Sequence, residues 1–367
     1  MKRRRLLAMT GAAVSSVGCT VGYTGGDRPF QTESDPVPGV DLPVPSEDIE
    51  TRLGKDSIPA IVDPAFAADW SGLDPEGIDD PTLPDETAVI GLERDGAARA
   101  YPLRVLDWHE IVNDDFAGPV AVTYCVLCGS SVVVERRVDG KPTTFGVSGR
   151  LWRDDLVMYD SATESLWSQI LATAIRGPKT GDQLHRIPST LSSWGEWRRT
   201  HPDTEVLLPP PHSRLIGDRD KLYPYFRSKY SYEDESQLIG RDAEDEPGQR
   251  TLVIGISDGS EVRAYPFDIV SKRDVVTDTV GDIPVVVAIA PDGTLVAYDR
   301  RIEGTERTAV SAGDQYLAIA GSRFERSTGV AIDGPYEGHQ LERANDQPPM
   351  FWRGWSNFNP DTTVYGY

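Results

Sequence analysis

The sequence predicts a β-rich α+β protein built of two tandem homologous units, each a mostly antiparallel sheet or small barrel with one or two short helices. Three observations carry this. Short β-branched and aromatic runs alternate with Asp-Gly and Gly-Pro turns along the chain. Five sequence blocks past residue 85 recur in the same order at an offset of roughly 160 residues. Helical patterning is confined to two short pieces, one after Pro102 and one around Trp194.

The first residues read as targeting rather than fold. Lys2-Arg3-Arg4-Arg5 is a basic stretch with a twin arginine, and a short apolar run follows, closing on Ser16-Val17-Gly18-Cys19. This is the pattern of a twin-arginine export signal over residues 1–18, with Cys19 as the lipidation site. The expected location is the outer face of the cytoplasmic membrane, anchored through the lipid on Cys19, or the secreted space. Residues 19–53 hold Gly25-Gly26 and Pro36, Pro38, Pro43 and Pro45 without periodicity, which predicts a flexible tether.

Repeat unit one is placed at 54–208 and a degenerate unit two at 249–367, with an irregular acidic connection over 209–248. Val89-Ile90-Gly91-Leu92 matches Val253-Ile254-Gly255-Ile256, and Arg99-Ala100-Tyr101-Pro102 matches Arg263-Ala264-Tyr265-Pro266. Pro119-Val120-Ala121-Val122 matches Pro284-Val285-Val286-Val287. Gly177-Pro178 matches Gly334-Pro335, and Trp194 and Trp197 match Trp352 and Trp355. The helical pieces are read over Leu103–Val112 and Leu191–Arg199. The connection carries Pro209-Pro210-Pro211 and the run Asp242-Ala243-Glu244-Asp245-Glu246.

Composition narrows the function. The chain has 58 Asp+Glu against 37 Lys+Arg, a formal charge of -21, with the acids spread along its length. Such a surface repels nucleic-acid phosphates and stays hydrated at high salt, as in a halophilic source. There is no Ser-His-Asp order, Walker loop, paired-glycine dinucleotide motif or His-Glu-x-x-His.

The candidate chemistry sits at Tyr124-Cys125-Val126-Leu127-Cys128-Gly129, between the apolar runs 120–123 and 132–134. A Cys-x-x-Cys-Gly turn between strands brings two sulfurs to one point, with glycine free to take a positive φ. The duplication serves as an internal control. Unit two has Ala290-Pro291-Asp292-Gly293 in place of the knuckle and Lys272-Arg273-Asp274 in place of Trp108-His109-Glu110. Features present once are candidates for chemistry; the shared tryptophans and the Arg-Ala-Tyr-Pro element are assigned to structure.

Three readings of the thiols stand open. The first is a metal site with Cys125 and Cys128 as ligands, His109 as a third and Met158 as a soft thioether, which suits copper or zinc. The second is a thiol-disulfide oxidoreductase using Cys125 and Cys128. The third is an inert structural pair in a non-catalytic or interaction protein. Tyr124, Ser148, Trp152, Tyr159, Asp160, Trp167 and Gln169 are candidate pocket residues. The implied partners are the membrane and a metal- or thiol-exchanging protein, and no nucleic acid.

Several blocks together resemble a known family. Lys55-Asp56-Ser57-Ile58-Pro59-Ala60, His109-Glu110-Ile111-Val112-Asn113-Asp114, the stretch Val122–Ser130 around the knuckle, Phe145-Gly146-Val147-Ser148-Gly149, Leu156-Val157-Met158-Tyr159-Asp160 and Leu166-Trp167-Ser168-Gln169 are similar to domain-of-unknown-function family 3179. The resemblance runs from about residue 54 to the C-terminus. Val126 departs from it, standing where the family usually has Pro. It implies exported or membrane-associated bacterial and archaeal proteins and implies no known reaction.

Overall fold

The computed structural model describes residues 40–71, 73, 82–217, 223–225, 247–345 and 347–367. The predicted export segment, Cys19 and most of the predicted tether lie outside the described residues, as does the acidic run 242–246. Among the described residues no helix is long and apolar enough to cross a membrane.

Six principal sheets make up the fold, three from each half of the chain. In the first half, Ala88–Arg94 and Ala97–Pro102 form the centre of one sheet, flanked by Thr190–Ser193, Glu205–Leu207 and Phe66–Ala67. Ile111–Asp115, Pro119–Cys125 and Ser130–Glu135 form the centre of the second. Phe145–Trp152, Asp155–Asp160, Leu166–Ser168 and Thr173–Arg176 form the third, with Glu50–Thr51 on its edge. The second half repeats the order with Leu252–Ser257 and Val262–Pro266, then Val275–Val280, Ile283–Ile289 and Leu295–Asp299, then Ala309–Ser311, Tyr316–Ile319 and Ser322–Glu325.

The six sheets are the blades of a six-bladed β-propeller, which corrects the expectation of two tandem sheets or barrels. The described residues all fall in one compact unit. The reason is physical. A half with three blades leaves its outer blades unpartnered, and closing a ring buries them against the other half.

The seams show how the halves interlock. The helix Trp194–Thr200 of the first half is clamped onto the Asp292 turn of the second, where the Asp292 carboxylate accepts from the Ser192 hydroxyl and the Ser193 amide at 2.8 Å each. Reciprocally, the helix Trp352–Phe358 of the second half is seated on the Cys128 turn of the first, with the Phe351 amide donating to the Cys128 carbonyl at 2.8 Å. The same sequence block therefore does the same job twice, each time on the opposite half.

Local structure follows the repeat closely. Arg99 and Tyr101 both donate to Asp114, at 2.8 and 2.6 Å, and Arg263 and Tyr265 both donate to Asp278, at 2.6 and 3.0 Å. Each pair ties two neighbouring sheets together. The helices are shorter than the sequence pattern indicates. Leu103–His109 stops at Glu110, whose φ is 57°, and Ile111-Val112 enter a strand, as β-branched residues favour. Leu191 likewise belongs to a strand, and the second helix begins at Trp194 after its Ser193 cap. Seven-residue helices are not stable alone, so these persist through packing.

Two stretches assigned to tether and connection are packed. Val44 is buried and its amide donates to the Ile175 carbonyl, while Glu50–Thr51 pairs with Arg150 and Leu151. Leu215 and Tyr225 of the connection are buried in the core of the first half.

Candidate metal centre

The thiols are delivered by a strand end and a tight turn. Cys125 is the last residue of Pro119–Cys125, paired with Ser130, and Cys128 sits in the turn between. Gly129 takes a φ of 58°, and a Cβ there would come within 2.7 Å of the Phe351 ring, so glycine is required twice over. Both cysteines are buried and free.

A second turn meets them. Phe145–Trp152 and Asp155–Asp160 are joined by Arg153 and Asp154, both in the left-handed region at φ 53° and 63°. Two such residues make a tight hairpin turn of the primed kind. Its carbonyl at Asp154 accepts from the Cys128 thiol at 3.2 Å and the Cys125 thiol at 3.7 Å. The next residue, Asp155, brings a carboxylate to the same place. Cys125 Sγ, Cys128 Sγ and an Asp155 carboxylate oxygen all lie within 4.8 Å of one another.

The electrostatics of this trio are compatible with a bound cation. Asp155 has no exposed surface, and its carboxyl is pushed up to about 7 by burial, a shift only partly opposed by hydrogen bonds from Ser168 and the amides of Ile170, Gln169 and Leu156. The Ser168 hydroxyl donates to it at 2.5 Å. Among the described residues no Arg, Lys or His forms an ion pair with it. The Cys128 thiol is held well above its ordinary value by its hydrogen bond with Cys125, by burial and by the Asp155 and Asp154 charges. Two groups held above their ordinary values, with a second buried thiol beside them, are thus concentrated around one point, an arrangement that a bound cation would stabilise in its ionised form.

His109 does not join them. Its Nδ1 lies 2.7 Å from the Pro59 carbonyl, which can only accept, so Nδ1 carries the proton and Nε2 accepts from the Tyr225 hydroxyl at 2.7 Å. Both ring nitrogens are occupied, and burial lowers its pKa to about 4. Successive side chains of a strand point to opposite faces. Tyr124, with Tyr225, belongs to one core and Cys125 to the other, so His109 is tied into the face that the thiols do not use. His109, expected as a third ligand, thus stands apart from the thiols, and the side chain the structure brings beside them is Asp155.

The other candidates divide. Met158 is buried in the same core as the two cysteines, the strand partner of Trp167. Gln169 braces the knuckle from below. It accepts from the Ser130 hydroxyl at 2.8 Å and donates to the Thr123 hydroxyl at 3.0 Å. Ser148 donates to the Val157 carbonyl at a bulge. Tyr159 donates to the Asp56 carboxylate at 2.9 Å, under the Lys55 ammonium. Asp160 caps the 161–163 turn and accepts from Trp167 Nε1 at 3.0 Å. Trp152 packs on Phe358 in a third core. The proposed pocket residues are therefore mostly hydrogen-bonded scaffold. An open surface depression in the second half is lined by Pro291 and residues 312–316.

Burial and the raised Cys128 pKa make a testable statement about reactivity. In the metal-free native protein, alkylation of Cys125 and Cys128 at neutral pH is expected to be at least about a hundredfold slower than in the urea-unfolded chain. Mass-spectrometric timing of iodoacetamide labelling measures this, and comparable rates in the two states would contradict it.

No curated protein and no solved structure matches the chain. A protein-family comparison does match, over residues 55–362, a span that takes in both halves of the propeller and both turns of the thiol site; its description is protein of unknown function (DUF3179). The match agrees with the motifs around the knuckle, and the chain belongs to that family.

Proposed function

We propose that the protein binds one transition-metal ion through Cys125, Cys128 and Asp155, and that it works as an exported, lipid-anchored metal-binding or metal-transfer protein. The observation that carries the reading is the fully buried Asp155 carboxyl, without an ion-pair partner among the described residues, beside two buried free thiols. Two thiolates and a carboxylate suit Zn(II) better than Cu(I), because a hard oxygen donor adds little for a soft monovalent ion. The thiol-disulfide reading has less support. A redox thiol needs exposure and a lowered pKa, and Cys128 has neither.

Metal analysis of the full chain, purified without chelator or affinity-tag metal, tests this. About one zinc per chain is expected, and Cys125→Ser or Asp155→Asn should weaken binding by about a hundredfold or more, since each removes a ligand. Protein that holds no metal as purified and takes up none after reduction would overturn the proposal.

A further inference from the structure

We infer that the main-chain carbonyl of Asp154 is the fourth donor of this site and that Arg353 and Asn357, from the second half of the chain, hold it in place. The inference rests on the metal reading above and deepens it.

Geometry is the first support. With Zn–S near ~2.3 Å and Zn–O near ~2.1 Å, the sulfur-to-oxygen edge of a tetrahedron is roughly 3.6 Å. The Asp154 carbonyl lies 3.2 Å from Cys128 Sγ and 3.7 Å from Cys125 Sγ. It already stands at an edge distance from both thiols, on a turn whose two left-handed residues fix the carbonyl direction. In the metal-free protein the thiol protons occupy this oxygen. When metal binding releases these protons to solvent, the oxygen is free to donate to the ion.

The second support is what grips that turn. Arg353 Nη2 pairs with the Asp154 carboxylate at 3.0 Å. Asn357 Nδ2 donates to the Arg153 carbonyl at 2.9 Å, and Arg153 Nη1 donates to the Asn357 carbonyl at 3.3 Å. On the knuckle side, Phe351 N donates to the Cys128 carbonyl, and Gly354 lies so close that an added Cβ would meet Cys128 Cβ at 2.9 Å. One short helix thus clamps both turns that carry donors. The second half is part of the site although it contributes no ligand. A closed S₂O₂ set leaves no open position for substrate, which fits binding or transfer of the ion rather than metal-activated hydrolysis.

Cobalt(II) titration of the reduced, metal-free full chain tests this, with azide added afterwards. Wild type should show the intense visible bands of four-coordinate cobalt with thiolate charge transfer, and azide should leave them unchanged. Arg353→Ala, and separately Asn357→Ala, should keep the charge-transfer band, weaken the visible bands, become azide-sensitive and release cobalt to a chelator about tenfold faster or more, the usual scale for groups that orient ligands. Arg353→Lys should restore part of the difference. A wild-type spectrum that responds to azide, or variants identical to wild type in spectrum and release rate, would overturn the fourth-donor assignment while leaving the three-ligand site standing. Failure of the wild type to bind cobalt at all would overturn the metal reading itself.

Discussion

Gly91→Ala and Gly255→Ala are each expected to cost about 3 kcal/mol of stability or more, far above the usual cost of adding one methyl group to a strand. Both glycines lie in strands with ordinary φ, so the backbone would accept alanine without strain. The obstacle is a tryptophan ring. A Cβ on Gly91 would stand 2.3 Å from the Trp197 ring, and one on Gly255 would stand 2.1 Å from that of Trp355. Neither ring can retreat. Trp197 Nε1 donates to the Thr204 hydroxyl at 2.9 Å and Trp355 Nε1 to the Thr362 hydroxyl at 3.1 Å, and both rings are buried. A fall of about 6 °C or more in melting temperature is expected for each variant. Trp197→Leu should make Gly91→Ala nearly harmless, a coupling that a double-mutant cycle reads directly. Additive effects of the two changes would show that the ring is not the obstacle.

This lock also explains what was legible in the sequence. Gly91 with Trp197, and Gly255 with Trp355, are members of repeated blocks, and their contacts fall within one half. Patterns of that kind survive as sequence. The closure of six blades into a ring does not, because it depends on which blade flanks meet across the seams. The Asp292 carboxylate on Ser192 and Phe351 on Cys128 join residues from opposite halves that no local periodicity links.

The site was legible in part for the same reason. Cys125 and Cys128 stand out because thiols are rare in this chain. Asp155 does not, because it is one of 58 acidic residues and only its buried place beside the thiols distinguishes it. His109 was misleading in an instructive way. It is missing from the second half, which marked it as chemistry. The structure supplies a different cause for the asymmetry: His109 holds Tyr225 of the connecting segment through a hydrogen bond, with Tyr223 packed edge-on against its ring at 5.2 Å. A residue can be unique to one half because of what is docked there.

Asp155 and His109 together predict an unusual pH response of the metal-free protein. The Asp155 carboxyl is raised from 3.8 to about 7, so the folded state keeps a proton that the unfolded chain gives up. Its contribution is fully present below about pH 4 and is lost as pH rises to 7, a change of about 4 kcal/mol. The His109 imidazole is lowered from 6.5 to about 4, so the folded state refuses a proton that the unfolded chain takes. Its contribution is present above about pH 6.5 and is lost as pH falls toward 4, a change of about 3 kcal/mol. Between about pH 4.5 and 6.5 the two slopes, each about 1.4 kcal/mol per pH unit, run in opposite directions and cancel. Asp155→Asn should therefore expose the His109 slope: relative to wild type, its denaturation midpoint should climb steadily from pH 4.5 to 7. His109→Gln should do the reverse, gaining on wild type as pH falls. Zinc should act like Asp155→Asn at neutral pH, because the ion supplies the positive charge that the buried carboxylate lacks. Parallel midpoint curves for wild type and Asp155→Asn across this range would show that the carboxylate is ionised without a cation, and would remove the main physical reason for placing a metal beside it.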